Sequence, residues 1–337
     1  MRLLFYVVRR LLMLIPVLIG VSMLTFIAAR MLPGNPALLV AGPLATDEDI
    51  ARMEADMHLD RPIWEQYFNY LRDLSRGDLG RSWRTGLPVT TELLRRFPAT
   101  FELTTTAMFL AVLFGIPLGA MAAIKQGTRF DHLIRVLSVG GVSIPVFWSG
   151  LILIFVFYYL LGWAPAPVGR MGLSVAAPTR VSGFYLLDSV ITGNWHALGS
   201  VMSQMALPVI TLVFAMLPSI IRVTRSSMLD VCREDYVRTA LATGLRRRTV
   251  IFQDALRNAL LPVVTTIGGY YGYSLGGEVL VEQIFSWPGM GRYSIDAIYN
   301  LDYAAVQAFV MIVAIIYITV YLVVDLLYAV LDPRVRY

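Results

Sequence analysis

The chain has 337 residues, of which 57% are hydrophobic and 15% charged, with a mean hydropathy of +0.65. Soluble domains are about 45–50% apolar, so the surplus must lie away from water, and a soluble enzyme, a disordered chain and a disulfide scaffold are excluded. The net charge of +5 comes from 27 arginines and a single lysine, Lys125, against 23 acids. These arginines stand at the edges of apolar blocks, where membrane topology accounts for them without nucleic acid.

A bilayer core needs about 20 predominantly apolar residues per helix. Six segments qualify in chain order: 11–29, 103–124, 136–161, 202–221, 260–280 and 305–324, the last continuing towards Leu331. The pattern predicts an all-α integral membrane protein with six transmembrane helices. Pro16, Pro117, Pro145, Pro208, Pro218 and Pro262 fall inside these segments and are read as tolerated kinks, not termini. The first segment reads as an uncleaved anchor, because its apolar run exceeds a signal core and Arg30 stands where a small-residue cleavage site would end. Arg9-Arg10 serves equally as the basic flank of that anchor, which weakens a twin-arginine reading.

Six crossings place both ends on one side. One side carries Arg2, Arg9 and Arg10, then Lys125, Arg129 and Arg135, then eight arginines over 222–257, then Arg334 and Arg336. The other carries Arg170, Arg180 and Arg292 in its shorter loops. Its segment 31–98 also holds eight arginines, but with ten acids and beyond the roughly 60-residue range of the positive-inside rule. Both termini are assigned to the cytoplasm. The organisation is then an N-terminus and first crossing (1–30), an extracytoplasmic helical region (31–98), and a core with helices two to six (99–337) holding a cytoplasmic loop over 222–257.

In the outer region, Thr46 before Asp47, Glu48 and Asp49 predicts a capped helix start. Pro62 then opens an amphipathic helix with Trp64, Tyr67, Phe68, Leu71 and Leu74 on one stripe, to be packed on the bundle or offered to an external partner. The second outer segment, 162–201, reads as irregular loop with one short helix. On the inner side, 222–257 reads as helix broken at Gly244, with Ala240 and Gly244 forming a small-residue face for a partner's close approach. Arg246, Arg247 and Arg248 serve topology or contact that partner.

No G-x-x-x-x-G-K-[ST] motif occurs, so no ATP is bound through a P-loop. Cys232 is alone, and His58, His132 and His196 are dispersed without an H-E-x-x-H motif, so no metal or other cofactor is expected and no metalloprotease chemistry. Ser149, in Phe147-Trp148-Ser149-Gly150, lacks the glycine two residues earlier that a serine nucleophile motif has, and reads as a packing serine. Glu102 and Glu282 are expected at the outer interface, and Asp325 near the inner end paired with an arginine. Glu278, on a Gly-rich face with Tyr271, Tyr273 and Ser274, is left as the candidate pathway-lining group.

Several sequences form a known pattern: Leu32-Pro33-Gly34-Asn35-Pro36, Arg76-Gly77-Asp78-Leu79-Gly80, Phe97-Pro98-Ala99-Thr100, Ile144-Pro145-Val146-Phe147-Trp148, the run from Glu234 to Ala240, the run from Leu256 to Val264, and the run from Phe285 to Arg292. Together, in order and over nearly the whole chain, they resemble the dipeptide/oligopeptide (and nickel) permease subunits of bacterial ABC importers. In that family a loop of the form E-A-A-x3-G-x9-I-x-L-P docks into the ATPase. Arg238-Thr239-Ala240 stand at the E-A-A position here, with Gly244 at the glycine and Leu245 and Arg246 after it. Arg238 replaces the acid, and Leu261-Pro262 come five residues late, as in the peptide branch.

The resemblance implies a type I importer permease fold in the bacterial cytoplasmic (inner) membrane. Its partners would be a second homologous permease subunit, two ATP-binding cassette subunits, an extracytoplasmic peptide-binding protein and membrane lipid. ATP hydrolysis belongs to the partners, and the solute would be a di- or oligopeptide. Gly183 to Asp188 tilts the resemblance towards dipeptide members, while nickel complexes and glutathione-like compounds are the family's other solutes. A stand-alone ion-driven transporter is disfavoured by the few internal charges and the lack of a visible inverted repeat, and an intramembrane hydrolase by the missing nucleophile and base.

Overall fold

The computed structural model describes residues 2–31, 37, 41, 45–57 and 59–331. The motif at 32–36, His58, Arg334 and Arg336 lie outside them. The regular elements among the described residues are all helices, with no strand beyond an isolated bridge between Arg81 and Pro88. In order the helices are α1 (Arg2–Met31), α2 (Asp47–Asp56), α3 (Ile63–Ser75), α4 (Val89–Ile124), α5 (Arg129–Ser143), α6 (Val146–Leu153), α7 (Tyr185–Ile191) and α8 (Trp195–Val231). After them come α9 (Asp235–Ala242), α10 (Leu256–Leu275), α11 (Val279–Ile284), α12 (Met290–Tyr299) and α13 (Tyr303–Leu331). Wider π-helical turns extend α6 through Ile154–Leu160 and lead into α10 over Val250–Ala255.

Among the described residues α4, α8 and α13 are each long and apolar enough to cross a bilayer, and α5 with α6 passes as a bent pair. The apolar stretch of α1 is Ile15–Ala28. Helix α10 lies between α8 and α13, and there Gly268, Gly272 and Gly276 stand where a Cβ would meet Val324, Tyr317 and Val313 at 2.2–3.0 Å. Its small residues let neighbours approach at the expense of hydropathy.

The closest packing joins α4 and α8. On α4, Ala107, Ala111, Gly115, Gly119 and Ala123 recur every fourth residue and all are buried. A Cβ on Gly115 would lie 2.7 Å from Ile220, and one on Gly119 2.7 Å from both the Ile221 carbonyl and Thr224. Without a hydrophobic drive between helices in lipid, such small-residue stripes allow the backbone approach that gives dispersion contact. Met205, Leu212, Met216 and Ile220 fill the remaining space.

Pro16, Pro117, Pro208, Pro218 and Pro262 lie inside continuous helices. Pro145 does not. The 136–161 segment is broken by 100° between α5 and α6, so the expectation of a kink is corrected to a full break. Proline disfavours the helical region for the residue before it, and Ile144 takes φ −93° and ψ 124°. The bent pair is tied to α8 twice. Gly141 abuts Pro218, and Asp131 accepts from Arg225 Nε at 2.6 Å and Nη2 at 2.9 Å.

The outer helices follow their sequence signals. Thr46 and Asp49 form a reciprocal capping box at α2. Of the α3 stripe, Tyr67 reaches α1, its hydroxyl 3.1 Å from Ser22 Oγ and its ring 5.3 Å from Phe26, whereas Trp64 and Phe68 stay exposed. Segment 162–201 is irregular apart from α7 and the start of α8. The inner run over 222–257 is broken twice, at the end of α8 and at Gly244, not once.

The α4–α8 contact predicts that Gly119→Leu destabilises the protein by about 1–3 kcal/mol, as overpacking does. Gly199→Leu, on the same α8 but with nothing within 4 Å of a Cβ, is expected to be neutral. Thermal unfolding of the two variants in detergent measures the difference.

Candidate functional site

Chemistry-bearing residues gather at the two ends of the bundle. At the end expected to be cytoplasmic, α9 lies on a small apolar seat. Val237 is buried against a cluster of Ala120, Ala123, Met228, Val250, Ile251, Ala255 and Ala259, drawn from α4, α8 and the lead into α10. Asn258 Nδ2 donates to the Tyr236 hydroxyl at 2.8 Å and adds a polar clasp. Ala240 is half-buried on this seat, while Arg238, Thr239, Gly244, Leu245 and Arg246 are exposed. Arg238 lies 3.6 Å from Asp235, an exposed i,i+3 pair of little energetic weight.

Gly244 ends α9 at φ +86°. Its N–H donates to Leu241 O at 3.1 Å and the Leu245 N–H to Ala240 O at 3.3 Å, a left-handed helix cap for which glycine is favoured. No atom lies within 4 Å of where its Cβ would be. The glycine is therefore required by its own backbone, and the space beside it is open to another molecule.

At the opposite end, expected to be extracytoplasmic, two stretches far apart in sequence meet. Thr100 donates to Glu282 Oε1 at 2.6 Å while its hydroxyl accepts from the Met290 N–H at 2.9 Å. The Arg292 N–H donates to Glu282 Oε2 at 2.9 Å, and Trp287 Nε1 donates to Ala99 O at 2.8 Å. A Cβ on Gly289 would sit 2.2 Å from the Glu282 carboxyl and one on Gly291 3.0 Å from it, so both glycines are there to admit the acid. Glu102 pairs with Arg170 and accepts the Leu186 N–H at 2.7 Å. Glu102 and Glu282 are thus buried in hydrogen-bond cages, not placed in a wet interface as expected.

Two of the buried acids at this end are shifted from their ordinary values. Burial pushes the Glu282 carboxyl up to about 7, against the lowering by the donors from Thr100 and the backbone. Asp188 also feels burial, but the Ser182 hydroxyl and the N–H groups of Ser182, Gly183 and Val181 outweigh it and hold its carboxyl below the usual range.

Between the two ends lie the candidate path residues. Ser274 Oγ donates to Glu278 Oε1 at 2.9 Å, and Thr104 Oγ1 donates to the Ser274 carbonyl at 3.3 Å. The Tyr271 hydroxyl is 2.7 Å from Thr105 Oγ1. Tyr271, Ser274 and Glu278 therefore gather beside α4, whereas Tyr273 turns to the opposite, exposed face of α10. Thr104, Thr105 and Glu92, which accepts from the Tyr293 hydroxyl at 2.8 Å, are polar partners that the sequence reading did not single out, and it named Thr100 only within a motif. The only signal for them was the density of turn formers in Trp287-Pro288-Gly289-Met290-Gly291 near a lone acid. No group of His, Cys, Asp and Glu able to hold a metal occurs among the described residues.

Residues 115–337 match the family described as binding-protein-dependent transport system inner membrane component, and residues 3–104 match the N-terminal region of such components. The chain belongs to this family. As a permease it is 44% identical over 336 residues to the dipeptide transport system permease protein DppB of Escherichia coli K12, with 98% of both chains covered. It is 43% identical over 333 residues to the di/tripeptide transport system permease protein DppB of Pseudomonas aeruginosa, covering 98% of both. It is 38% identical over 332 residues to the glutathione transport system permease protein GsiC of Escherichia coli, covering 98% of this permease and 99% of that chain.

Two predictions follow from the outer cage. Thr100→Val leaves both the Met290 N–H and Glu282 Oε1 short of a partner and is expected to cost about 1–3 kcal/mol, read as a lowered unfolding midpoint. For Glu282 the folded pKa of about 7 lies above the ~4.3 of a free glutamate, so its contribution to stability is complete below the unfolded value and lost as pH rises through 7. Glu282→Gln should remove that part of the decline in thermal midpoint between about pH 4.5 and 7.5.

Proposed function

We propose that this permease is the translocation subunit of an ATP-driven ABC importer for di- or oligopeptides, which an extracytoplasmic binding protein delivers. The observation that carries the reading is the inner helix α9, clasped to α4, α8 and α10 through Val237 and Tyr236, with Thr239, Gly244, Leu245 and Arg246 facing outwards. A chain without a P-loop that holds such a helix rigidly is built to receive force from another subunit. The peptide substrate is supported by relatives named for dipeptides and di/tripeptides at 43–44% identity, above the glutathione permease at 38%.

In this reading the protein has six crossings with both termini cytoplasmic, pairs with a second homologous permease, and sits over two ATP-binding cassette subunits. The arginine distribution supports the orientation. Closure of the ATPase dimer pushes on α9 and on Arg238 to Arg246. Because α9 is seated on α4, α8 and α10 together, the push moves these helices as a body and rocks one permease against the other. The pathway runs beside α10, where Glu278, Ser274 and Tyr271 line it from the α4 side and the exposed Tyr273 faces the partner permease.

The test is Gly244→Trp in the reconstituted complex. Because the space beside Gly244 is empty within the chain, insertion and folding should persist with a cost of about 1 kcal/mol for the left-handed backbone. Receptor-stimulated ATP hydrolysis and uptake should fall by about tenfold or more. Gly244→Asn, which tolerates the left-handed backbone, is expected to lie between. Undiminished ATPase coupling in the tryptophan variant would overturn the assignment.

A further inference from the structure

A cavity of about 400 Å³ opens between the irregular segment before α7 and the turn between α11 and α12. Its wall includes Val168, Arg170, Tyr185, Ser286, Pro288 and Arg292. The volume falls in the range of sites for small solutes, about 300–1,000 Å³.

The charge in this cavity is unbalanced. Arg170 is more than nine-tenths buried, lies 3.5 Å over the Tyr185 ring, donates to the Gly183 carbonyl and pairs with Glu102. Its Nε has no hydrogen-bond partner. Arg292 binds Glu282 only through its backbone N–H, and its guanidinium has no acidic partner among the described residues. Among these residues two guanidinium groups, Arg170 and Arg292, line the cavity and no carboxylate does; Glu102 is spent on Arg170 and Glu282 on the Thr100 hydroxyl and the Arg292 backbone, so an anion of single charge completes the Arg292 side. Burying cations without a counter-charge is costly, and guanidinium groups select planar carboxylates through paired hydrogen bonds.

We infer that this cavity receives the terminal carboxylate of the transported peptide, with Arg292 as its charged ligand and Arg170, held by Glu102 and Tyr185, as the fixed wall beside it. Val168, Tyr185 and Pro288 offer apolar contact to a small side chain. The site lies at the end of α4 opposite the α9 seat, next to Thr100 and Glu102, where a solute enters before reaching Tyr271, Ser274 and Glu278. This inference rests on the peptide-importer reading and goes beyond it by naming the group recognised. Gly169, at φ +109° with a Cβ position 3.2 Å from the Ser286 carbonyl, keeps the two cavity walls in contact.

The experiment uses the full complex with its binding protein loaded with dialanine. In Arg292→Gln the backbone bond to Glu282 is untouched, so assembly should match wild type. Uptake at saturating binding protein should fall by about tenfold or more, the scale of a lost charge-assisted contact, with the binding protein's half-saturating concentration unchanged. Arg292→Lys should recover part of the loss. Dialanine methyl protons should show saturation transfer from the wild-type permease–ATPase assembly in nanodiscs, measured without the binding protein, and not from Arg292→Gln. Uptake by Arg292→Gln equal to wild type, or no transfer from wild type, overturns the carboxylate site while leaving the importer reading intact. A raised half-saturating concentration with unchanged maximal uptake also overturns it, since the carboxylate then belongs to the binding protein. Failure of the wild-type complex to import any peptide overturns the importer reading and this site together.

Discussion

The contact on which the rest of the structure depends is the approach of α4 to α8 through residues with almost no side chain. Gly115 and Gly119 leave room for Ile220 and Thr224 to lie directly on the α4 backbone, and the alanines that continue the stripe every fourth residue carry the contact along the helix. A single added methyl group would have to displace backbone or a β-branched side chain. In a membrane, where apolar surface alone does not drive helices together, this shape match is what holds the pair.

The pair matters because α4 reaches both candidate sites. Ala99, Thr100 and Glu102 on its outer part bind Trp287, Glu282 and Arg170. Ala120 and Ala123 on its inner part form the seat of α9. From Ala99 to Ala123 is 24 residues, or about 36 Å of helix. An unbroken helix clamped along its length to a second one is a stiff element, since a packed interface shifts between discrete arrangements and does not deform smoothly.

The legible part of this architecture was the part that periodicity and capping control. The Thr46 cap, the Pro62 start of α3, the helix break at Gly244 and three of the six long apolar helices follow from local rules, and the structure has them. Pro145 was misjudged because proline in an apolar run either kinks or breaks a helix according to tertiary support. Here Gly141 against Pro218 and Asp131 against Arg225 hold the halves of the break in place. The burial of Glu102 and Glu282 was also hidden. Their partners lie 68 and 182 residues away, and no local pattern distinguishes a caged acid from one at an interface. Tyr271 and Tyr273 illustrate the same gap, since a shared segment did not give them a shared face.

The glycines of the turn between α11 and α12 show why motif and geometry have to be read together. Gly289 and Gly291 are not there for unusual backbone angles: neither has a positive φ. They are small because the Glu282 carboxyl occupies the space a Cβ would take. That acid then accepts hydrogen bonds from Thr100 on α4 and from the Arg292 backbone, so the turn is fixed to the helix that reaches the inner seat. The two motifs that begin at Phe97 and Phe285 are therefore one structural unit. The cavity edged by Ser286, Pro288 and Arg292 belongs to that unit, and packed helix with buried hydrogen bonds runs from it along α4 to the seat of α9.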